Sequence, residues 1–521
     1  MKYYHHIYSI SYLYIIRYWH GIMAREQWSS NMGFILAAVG SAIGLGNIWR
    51  FPYVVYNNGG GAFLIPYFIA LFCVGVSVIL LELVLGHSTR GSAPFAFRKM
   101  SEKYEWIGWL AVISGFTITT YYMSVIGWCL YYLINLILYG FPTDFTGYFF
   151  DDILRSSAGP ENIGSFSMGI LASVAVLWLV NYVIIRSGVK NGLEKANKLL
   201  MPLLFVLTLI LVLRGITLPG AMEGINWYLT PDFSILLNAQ VWIAAFSQIF
   251  FSLSLGYGIM IAYASYLPKK SDLTTNAFAI SLLNCGYSFL VGFAVFSTLG
   301  YMTYSTGAPL NEIVRDGIIL AFVVFPKALS LMPIGGFELA VVFFVALVIA
   351  GVSSSVSIIE AINAAVMDKF GISRKKAILP IVILGFFGSL LYTTNAGIHW
   401  INMVDYFTSG YLLPIVGIAE IVVAIWIFNG NKFIDYLNNL SDIKIGKYWK
   451  ISVGIITPLL LLGIICSGVM ALYNAPYGGY SWKYLGIVAT MSVFSVLLSL
   501  VISKIKDERE CKKQKPKKVI K

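Results

Sequence analysis

Two short stretches of this sequence interrupt apolar segments with glycines and small polar residues. They read VGSAIGLGN, from Val39 to Asn47, and FSLSLGYG, from Phe251 to Gly258. Glycines allow a helix to unwind, and unwound backbone at membrane depth occurs only where it lines a cavity. Freed amide groups at a helix amino end suit a carboxylate, and freed carbonyl oxygens suit a small hard cation. Both stretches therefore indicate binding of small charged species.

A simpler interpretation of the first stretch stays open on these residues alone. Gly40 and Gly44 stand four residues apart, and small residues at this spacing allow two membrane helices to pack closely. The matching interruption in the second stretch favours a binding site, because paired broken helices in two halves of a chain mark the midplane sites of secondary transporters.

The elements that carry these stretches are long apolar segments. Of the 521 residues, 58% are hydrophobic and 12% are charged, and the mean hydropathy is +0.78. Soluble domains are about one quarter charged, and apolar runs of about 20 residues recur along this chain. The composition therefore predicts an all-α polytopic membrane protein and excludes a large soluble core.

We expect twelve membrane-spanning helices, with both termini in the cytoplasm. The predicted spans are 33–55, 61–86, 106–138, 166–185, 196–213, 238–265, 272–303, 337–367, 377–392, 396–428, 451–473 and 484–503. Most of the 36 Lys and Arg residues then lie on one side, and the other side holds Arg50, Arg155, Arg214, Arg315, Lys327 and Lys483. Cytoplasmic loops carry the excess of basic residues, so "inner" and "outer" below refer to this predicted orientation. The net charge of +12 is explained by these loops, and nucleic acid is not expected as a partner.

The chain is predicted to hold one membrane domain, 23–506, in contact with the lipid bilayer. Residues 1–22 are interpreted as an amino-terminal extension, because translation could begin at Met23, and 507–521 as a basic cytoplasmic tail. The outer loop 301–336 is expected to contain a helical piece at 310–324. Five spans separate the two interrupted segments, so the two halves would have opposite orientations in the membrane.

From Arg25 to about Leu472 the chain resembles the neurotransmitter:sodium symporter family, which includes a bacterial leucine transporter. The resemblance rests on REQWSSNMGFILAAVGSAIGLGNIWRFPYVVYNNGGGAFLIPYFIA, QIFFSLSLGYGIMIAYASY, AGVSSSVSIIEAINAAVMD and MVDYFTSG. It implies a 5+5 inverted repeat with broken helices 1 and 6: repeat one about 33–213, repeat two about 238–428, and two extra helices at about 451–503. It also implies a prokaryotic-type, sodium-coupled symporter that imports amino acids by alternating access.

The resemblance implies two sodium sites with oxygen ligands. The first would use the Ala42 carbonyl, the side chains of Asn47, Ser252 and Asn284, and the substrate carboxylate. The second would use the carbonyls of Gly40, Ile43 and Ala350 with the hydroxyls of Ser353 and Ser354. The alternative for the two serines is an ordinary bond to a preceding carbonyl of their own helix.

The substrate pocket implied by the resemblance has a mostly apolar and aromatic wall. Its residues would be Ser41, Ala42, Leu45, Gly46, Ile118, Tyr122, Phe251, Ser252, Ser254, Tyr257, Ser354 and Ile358, with Tyr122 bonding the substrate carboxylate. Family members that carry monoamines have an aspartate where this chain has Gly44, so the substrate is expected to be an amino acid with a hydrophobic or aromatic side chain. Tyr257 and Ser41 replace a phenylalanine and an asparagine of the leucine transporter, so leucine itself is not implied.

A chloride ion is implied beside the first sodium site. Many bacterial members carry an acid where this chain has Ser288, whereas chloride-dependent animal members carry a serine. The remaining shell would be Tyr67, Gln248, Ser252 and Asn284. The alternative is that these groups bond one another or water.

The resemblance also implies a gate at each end of the pocket. Arg50 and Asp405 would pair on the outer side, above Tyr122 and Phe251. Arg25 and Asp368 would pair on the inner side, near Trp28, Ser265 and Tyr266. The alternative is that both pairs are permanent clamps.

Three acids lie within predicted spans. Glu82 and Glu420 match family positions that look structural. Glu360 has no assignment, and either proton movement or pairing within the helix bundle would explain it.

The rival functions are an amino-acid sensor or a channel on the same fold, and an intramembrane enzyme. A sensor would add a soluble signalling domain, and a channel would lack paired gates. An enzyme would need a nucleophile-base or metal constellation, and no H-E-x-x-H pattern is present. The sequence thus predicts a transporter rather than an enzyme.

Overall fold

The computed structural model describes residues 25–313 and 317–506. The predicted extension 1–22, the basic tail 507–521 and Arg315 lie outside the described residues. The described chain is helical, and its only strand-like pairings are two isolated bridges. The predicted all-α class is therefore confirmed.

The helices follow one another with short connections. In chain order they are α1 (Asn31–Ala42), α2 (Gly46–Asn57), α3 (Gly61–Thr89), α4 (Ala93–Met100), α5 (Glu102–Tyr139), α6 (Met168–Arg186), α7 (Val189–Ile216), α8 (Ala221–Leu229), α9 (Ala239–Ser252), α10 (Ile259–Ala264), α11 (Leu273–Thr306), α12 (Gly317–Ser330), α13 (Gly336–Phe370), α14 (Arg374–Thr393), α15 (Gly397–Ile427), α16 (Asn431–Leu440), α17 (Lys447–Asn474) and α18 (Trp482–Lys504). Shorter helical turns, such as Leu310–Ile313, lie in the loops. The helical piece expected at 310–324 is thus present as this turn and the start of α12.

Within the described parts of the chain, ten helices are long and apolar enough to cross a membrane. An eleventh span consists of α1 and α2, which meet at a bend of 58°. The remaining predicted span, 238–265, is present as α9 and α10, with residues 253–258 between them. Each of these halves is shorter than the roughly 20 residues that a crossing requires, so both expected helix breaks are found.

The ends of the helices differ from the predicted spans by several residues. Ser30 accepts a hydrogen bond from the Gly33 amide (3.0 Å) and caps α1, and Asp272 accepts one from the Thr275 amide (3.0 Å) and caps α11. Such caps satisfy amide groups that have no partner within the helix. Apolar length alone does not locate such helix ends. It predicted 106–138 for α5, whereas the helix runs from Glu102 to Tyr139.

Burial separates central helices from peripheral ones. The most apolar parts of α3 and α13 are each 78% buried inside the protein, compared with 17% for α17 and 22% for α18. The two extra helices thus lie at the periphery, and the interrupted segments lie among the central helices.

The approach of α3 to α10 depends on a glycine. A Cβ atom on Gly86 would lie 1.9 Å from the carbonyl oxygen of Ile261. No side chain fits this contact, which holds α10 against a central helix directly beyond the second break.

Candidate functional site

Oxygen atoms converge where α1 ends. The carbonyl oxygens of Gly40, Ser41 and Ile43 lie 3.3, 3.2 and 3.3 Å from the Ser354 hydroxyl on α13. One hydroxyl hydrogen can serve only one of these carbonyls, and the carboxyl end of a helix carries a partial negative charge. The remaining oxygens suit a small hard cation.

The other two predicted ligands of the second sodium site, Ala350 and Ser353, lie on the same helix as Ser354 but are bonded to each other. The Ser353 hydroxyl donates to the Ala350 carbonyl at 2.9 Å. Such a bond is the alternative that the sequence left open for this serine. Ser354, in contrast, reaches across to α1, as a ligand shared between two helices would.

A second polar cluster joins α2, α9 and α11. The Asn47 amide nitrogen donates to Asn284 Oδ1 and to the Ser288 hydroxyl, both at 2.8 Å. Asn284 in turn donates to the Ser252 hydroxyl at 3.1 Å. The structure therefore brings together the three side chains predicted for the first sodium site and connects them to Ser288.

The remaining members of the predicted chloride shell border this cluster. The Tyr67 hydroxyl is buried beside Ser288 and Cys285 without a partner in hydrogen-bond geometry. The Gln248 amide nitrogen makes a long contact to the Gly46 carbonyl (3.5 Å), and its oxygen has no partner among the described groups. Buried polar groups almost always have partners, so the Tyr67 hydroxyl leaves hydrogen-bonding capacity beside Ser288, and the Gln248 oxygen leaves it near the start of α2.

A cavity of about 390 Å³ lies between the two helix breaks, α5 and α13. All twelve residues predicted for the substrate pocket line it: Ser41, Ala42, Leu45, Gly46, Ile118, Tyr122, Phe251, Ser252, Ser254, Tyr257, Ser354 and Ile358. The Leu45 amide donates to the Tyr122 hydroxyl at 3.3 Å, directly before α2 begins. An amide, a hydroxyl and the amino end of a helix together suit a carboxylate.

The second break is held in an uncommon conformation. Ser254 has a left-handed backbone conformation with φ 53°, and its hydroxyl donates to the Ser41 carbonyl at 3.2 Å. A non-glycine residue in this region costs free energy and is found most often at functional sites. This bond connects the two interrupted segments across the cavity.

The outer end of the cavity is lined by Arg50 and Asp405, but they are not paired. The Arg50 guanidinium lies over the Phe251 ring, 4.4 Å from its centroid. Asp405 Oδ1 accepts hydrogen bonds from the Tyr121 hydroxyl (2.6 Å) and the Ser409 hydroxyl (2.7 Å). Among the described residues, no ion pair within 4 Å joins this arginine to this aspartate, and the cavity extends between them.

The pair predicted for the inner side is formed. Arg25 Nη1 donates to both oxygens of Asp368 at 2.9 Å, and its Nε donates to the Ser265 hydroxyl at 2.8 Å. The Trp28 indole donates to the Tyr263 carbonyl at 2.9 Å, and the Tyr266 ring lies 4.8 Å from the guanidinium. These contacts join the segment before α1 to α10 and α13.

Glu360 belongs to a second ion-pair network at the inner end. Its carboxylate accepts a hydrogen bond from the Tyr266 hydroxyl (2.6 Å) and pairs with Arg374. Arg374 also pairs with Glu26 at 3.0 Å. Of the two explanations left open by the sequence, the structure supports pairing within the bundle.

Sequence reasoning missed several members of these networks, namely Tyr121, Ser409, Glu26 and Arg374. Ser409 follows Asp405 by one helical turn, so i to i+4 spacing could have suggested it. Glu26 and Arg374 lie far apart in the sequence, and no local signal joins them.

A cavity between two broken helices, lined by oxygen clusters, is the arrangement of a secondary transporter. A family model described as the sodium:neurotransmitter symporter family matches residues 25–144 and 136–508. The chain belongs to this family: it is a multi-pass membrane protein and a sodium-dependent symporter of a small molecule, not an enzyme.

The relatives cover most of the chain. An uncharacterized sodium-dependent transporter of Methanocaldococcus jannaschii is 56% identical over 484 residues, which are 93% of this chain and 98% of that protein. The sodium- and chloride-dependent taurine transporter of Canis lupus familiaris is 31% identical over 92% of this chain and 84% of its own length. The crystal structure of MhsT in complex with L-phenylalanine is similar at 32% identity with a TM-score of 0.73, covering 85% of this chain and 100% of that one. The predicted family and fold are therefore confirmed.

Proposed function

We propose that this symporter imports an amino acid with an apolar or aromatic side chain into the cytoplasm. The observation that carries this proposal is the cavity, in which the Tyr122 hydroxyl and the Leu45 amide adjoin a mostly apolar wall. The complex of MhsT with L-phenylalanine supports the same substrate class. Because Gly44 places no acid in the pocket, the substrate supplies its own carboxylate.

Two sodium ions accompany the substrate. The first binds the Ala42 carbonyl, Asn47, Ser252 and Asn284, and the substrate carboxylate completes its shell. The second binds where the Gly40 and Ile43 carbonyls meet Ser354, with Ala350 and Ser353 adjacent. Shells of neutral oxygen atoms suit ions that must both bind and leave.

Chloride compensates part of the sodium charge. It binds beside Ser288 to donors from Tyr67, Ser252 and Asn284. The Gln248 amide can join them because its oxygen and nitrogen can exchange places by a flip. The unpartnered Tyr67 hydroxyl supports this assignment, as does the chloride dependence in the printed name of the taurine transporter.

Transport proceeds by alternating access, with one gate at each end. Arg25 and Asp368, with Trp28, Ser265 and Tyr266, close the inner side, and Arg50 and Asp405 close the outer side in another state. One closed end and one unpaired end favour this scheme over a channel, which needs both ends open together. A sensor on the same fold would bind the amino acid without moving it.

The deciding experiment measures uptake of labelled amino acids into proteoliposomes under an inward sodium gradient, in chloride and in gluconate. We expect sodium-driven uptake of an apolar or aromatic amino acid that falls when gluconate replaces chloride. Equal uptake in chloride and in gluconate would reject a halide at Ser288. Sodium-dependent binding without uptake would favour the sensor.

A matched pair of variants tests the first sodium site. Asn47→Ala removes a side chain that bonds both Asn284 and Ser288 and is expected to abolish sodium-dependent binding. Asn135→Ala is the control, because Asn135 lies on the same helix as Tyr122 and its side chain donates to the Tyr131 carbonyl of that helix. Full sodium dependence in the first variant would reject this site.

A further inference from the structure

One buried histidine joins three elements at the inner end. His87 lies in the last turn of α3 and is 1% exposed. Its Nε2 lies 2.8 Å from the carbonyl oxygen of Pro268, in the loop 265–272 between α10 and α11, the gate loop. Its Nδ1 lies 2.8 Å from the hydroxyl of Tyr436 on α16. The imidazole therefore connects a central helix, the gate loop and a short helix on the inner side.

The partners of this ring decide which nitrogen carries the proton. A carbonyl oxygen can only accept a hydrogen bond, so Nε2 is protonated and donates to Pro268. In the neutral ring Nδ1 is then an acceptor, and the Tyr436 hydroxyl donates to it. Both nitrogens thus have a partner, which fixes the orientation of the ring.

The gate loop carries two of the residues assigned to the inner gate. Pro268 follows Ser265 and Tyr266 within three residues. The Leu267 carbonyl accepts a hydrogen bond from Arg90, which directly follows α3. Two successive carbonyls of the gate loop are therefore held by the end of α3.

The charged groups around the ring do not favour a second proton. Arg90 Nη2 lies 3.4 Å from Nε2, and Lys99 of α4 donates to the Thr89 carbonyl at 2.7 Å, two residues beyond the histidine. The charged side chains of the gate loop and of α16 are the exposed Lys269, Lys270, Lys432 and Asp435, and Asp272, which caps α11. An imidazolium would be a buried charge beside a guanidinium, which costs free energy.

We propose that His87 is a positioning residue of the inner gate and makes closure of that end sensitive to cytoplasmic acid; the gate itself rests on the proposed function. The neutral ring holds the gate loop against α3 and α16. Protonation turns Nδ1 from an acceptor into a donor, so the Tyr436 hydroxyl loses its acceptor, and it places a charge beside Arg90. The closed inner end is therefore stable while His87 is neutral and becomes less stable as the pH falls.

Nitrogen-15 NMR of the full-length protein, labelled at histidine, tests the ring without any assumption about transport. Chemical shifts distinguish a proton on Nε2 from one on Nδ1. At neutral pH we expect a signal of the neutral, Nε2-protonated ring that is lost in His87→Gln and kept in His399→Gln, a histidine bonded to the Ser157 carbonyl. A neutral ring protonated on Nδ1, or an imidazolium at neutral pH, would overturn the assignment.

Thiol labelling of Ser265→Cys tests the positioning role. Glutamine at position 87 can donate to Pro268 and accept from Tyr436 but does not titrate, so His87→Gln should label as slowly as the parent at neutral pH and show only the pH dependence of the thiol itself. Relative to it, the parent should label about three- to tenfold faster at about pH 6 than at about pH 7.5. His87→Leu, which makes neither bond, should label faster at both pH values.

Two results would reject this role: the same pH dependence in the parent and in His87→Gln, or unchanged labelling in His87→Leu. If His87→Gln does not fold, Arg90→Gln is the second test. It removes the neighbouring cation, so the acid effect should be smaller than in the parent. An acid effect as large as that of the parent would reject the charge argument.

Uptake separates this role from the proposed function. Sodium-driven uptake by the wild type should fall about three- to tenfold when the internal pH is lowered to about 6, whereas His87→Gln should stay within about twofold. An equal loss in both proteins would reject the role of His87 and leave symport intact. No uptake in either protein would reject the proposed function, and the labelling rates would still decide the role of His87.

Discussion

The two ends of the cavity differ in how their charged residues are partnered. At the inner end, Arg25 holds both oxygens of Asp368 at 2.9 Å. At the outer end, Arg50 lies over an aromatic ring and Asp405 is bonded to two hydroxyl groups. An arginine and an aspartate therefore form an ion pair on one side of the cavity and are separated on the other.

The charges of both proposed gates have other partners within reach. Arg50 is stabilised by the Phe251 ring and Asp405 by Tyr121 and Ser409, so separating them leaves neither charge without an interaction. At the inner end, the Ser92 amide also donates to Asp368 at 2.8 Å. In the proposed alternating access, an aspartate that keeps a donor after the pair separates lowers the free-energy cost of opening.

Breaking the inner pair should have the largest effect. Asp368→Asn removes the charge that holds Arg25 but keeps the size of the side chain. Sodium-driven uptake is expected to fall at least about tenfold, because hydrogen bonds to charged groups each contribute about 1.5–3 kcal/mol. Labelling of Ser265→Cys, at a buried position beside Arg25, should rise, since the proposed inner end opens.

The control for this variant is Glu102→Gln, on the same side of the protein. Glu102 pairs with Arg98 at 3.9 Å and is 84% exposed, and such surface pairs contribute about 0–1 kcal/mol. Its uptake should match the wild type. Normal uptake in Asp368→Asn would mean that the inner pair does not set the state of that end.

Removing the outer arginine should have a smaller effect, on rate rather than on binding. Arg50→Ala takes away the cation that must meet Asp405 when the outer end closes. Turnover should slow several-fold, while equilibrium sodium-dependent binding weakens less than about threefold, because Arg50 is a ligand of neither proposed sodium site. Labelled phenylalanine measures both quantities, with Arg214→Ala, a half-buried arginine outside the cavity lining, as control. Equal losses in binding and turnover would assign Arg50 to the binding site instead.

The fold was predictable from local patterns in the sequence, and the residues that line the cavity were expected from the resemblance to the family. Glycines interrupt α1/α2 and α9/α10 at recognisable places, and apolar length marks the spans. Two contacts were not predictable: the pairing of Glu360 with Arg374 and the hydrogen bond from Tyr121 to Asp405. Each joins side chains on two different helices, and their distance depends on how the helices pack.

The smallest expected effect concerns the hydroxyl groups that hold Asp405 away from Arg50. Tyr121→Phe removes the 2.6 Å donor without changing the ring, so Asp405 should pair with Arg50 more often. A hydrogen bond to a charged group contributes about 1.5–3 kcal/mol, part of which Ser409 retains. Labelling of Asn402→Cys, in the outer part of the cavity, should therefore slow about three- to tenfold.

Two comparisons sharpen this result. Tyr392→Phe is the same substitution on a ring that packs edge-on against Tyr121, 6.0 Å between centroids, and it should leave the labelling rate unchanged. Ser409→Ala removes the second donor and should slow labelling less, because a short side chain on a partly exposed turn competes with water for the same oxygen. If both donors act on one equilibrium, the double variant should slow labelling more than either single variant. Faster labelling in Tyr121→Phe would mean that the tyrosine closes the outer end, and the contrast between the two gates would then need another cause.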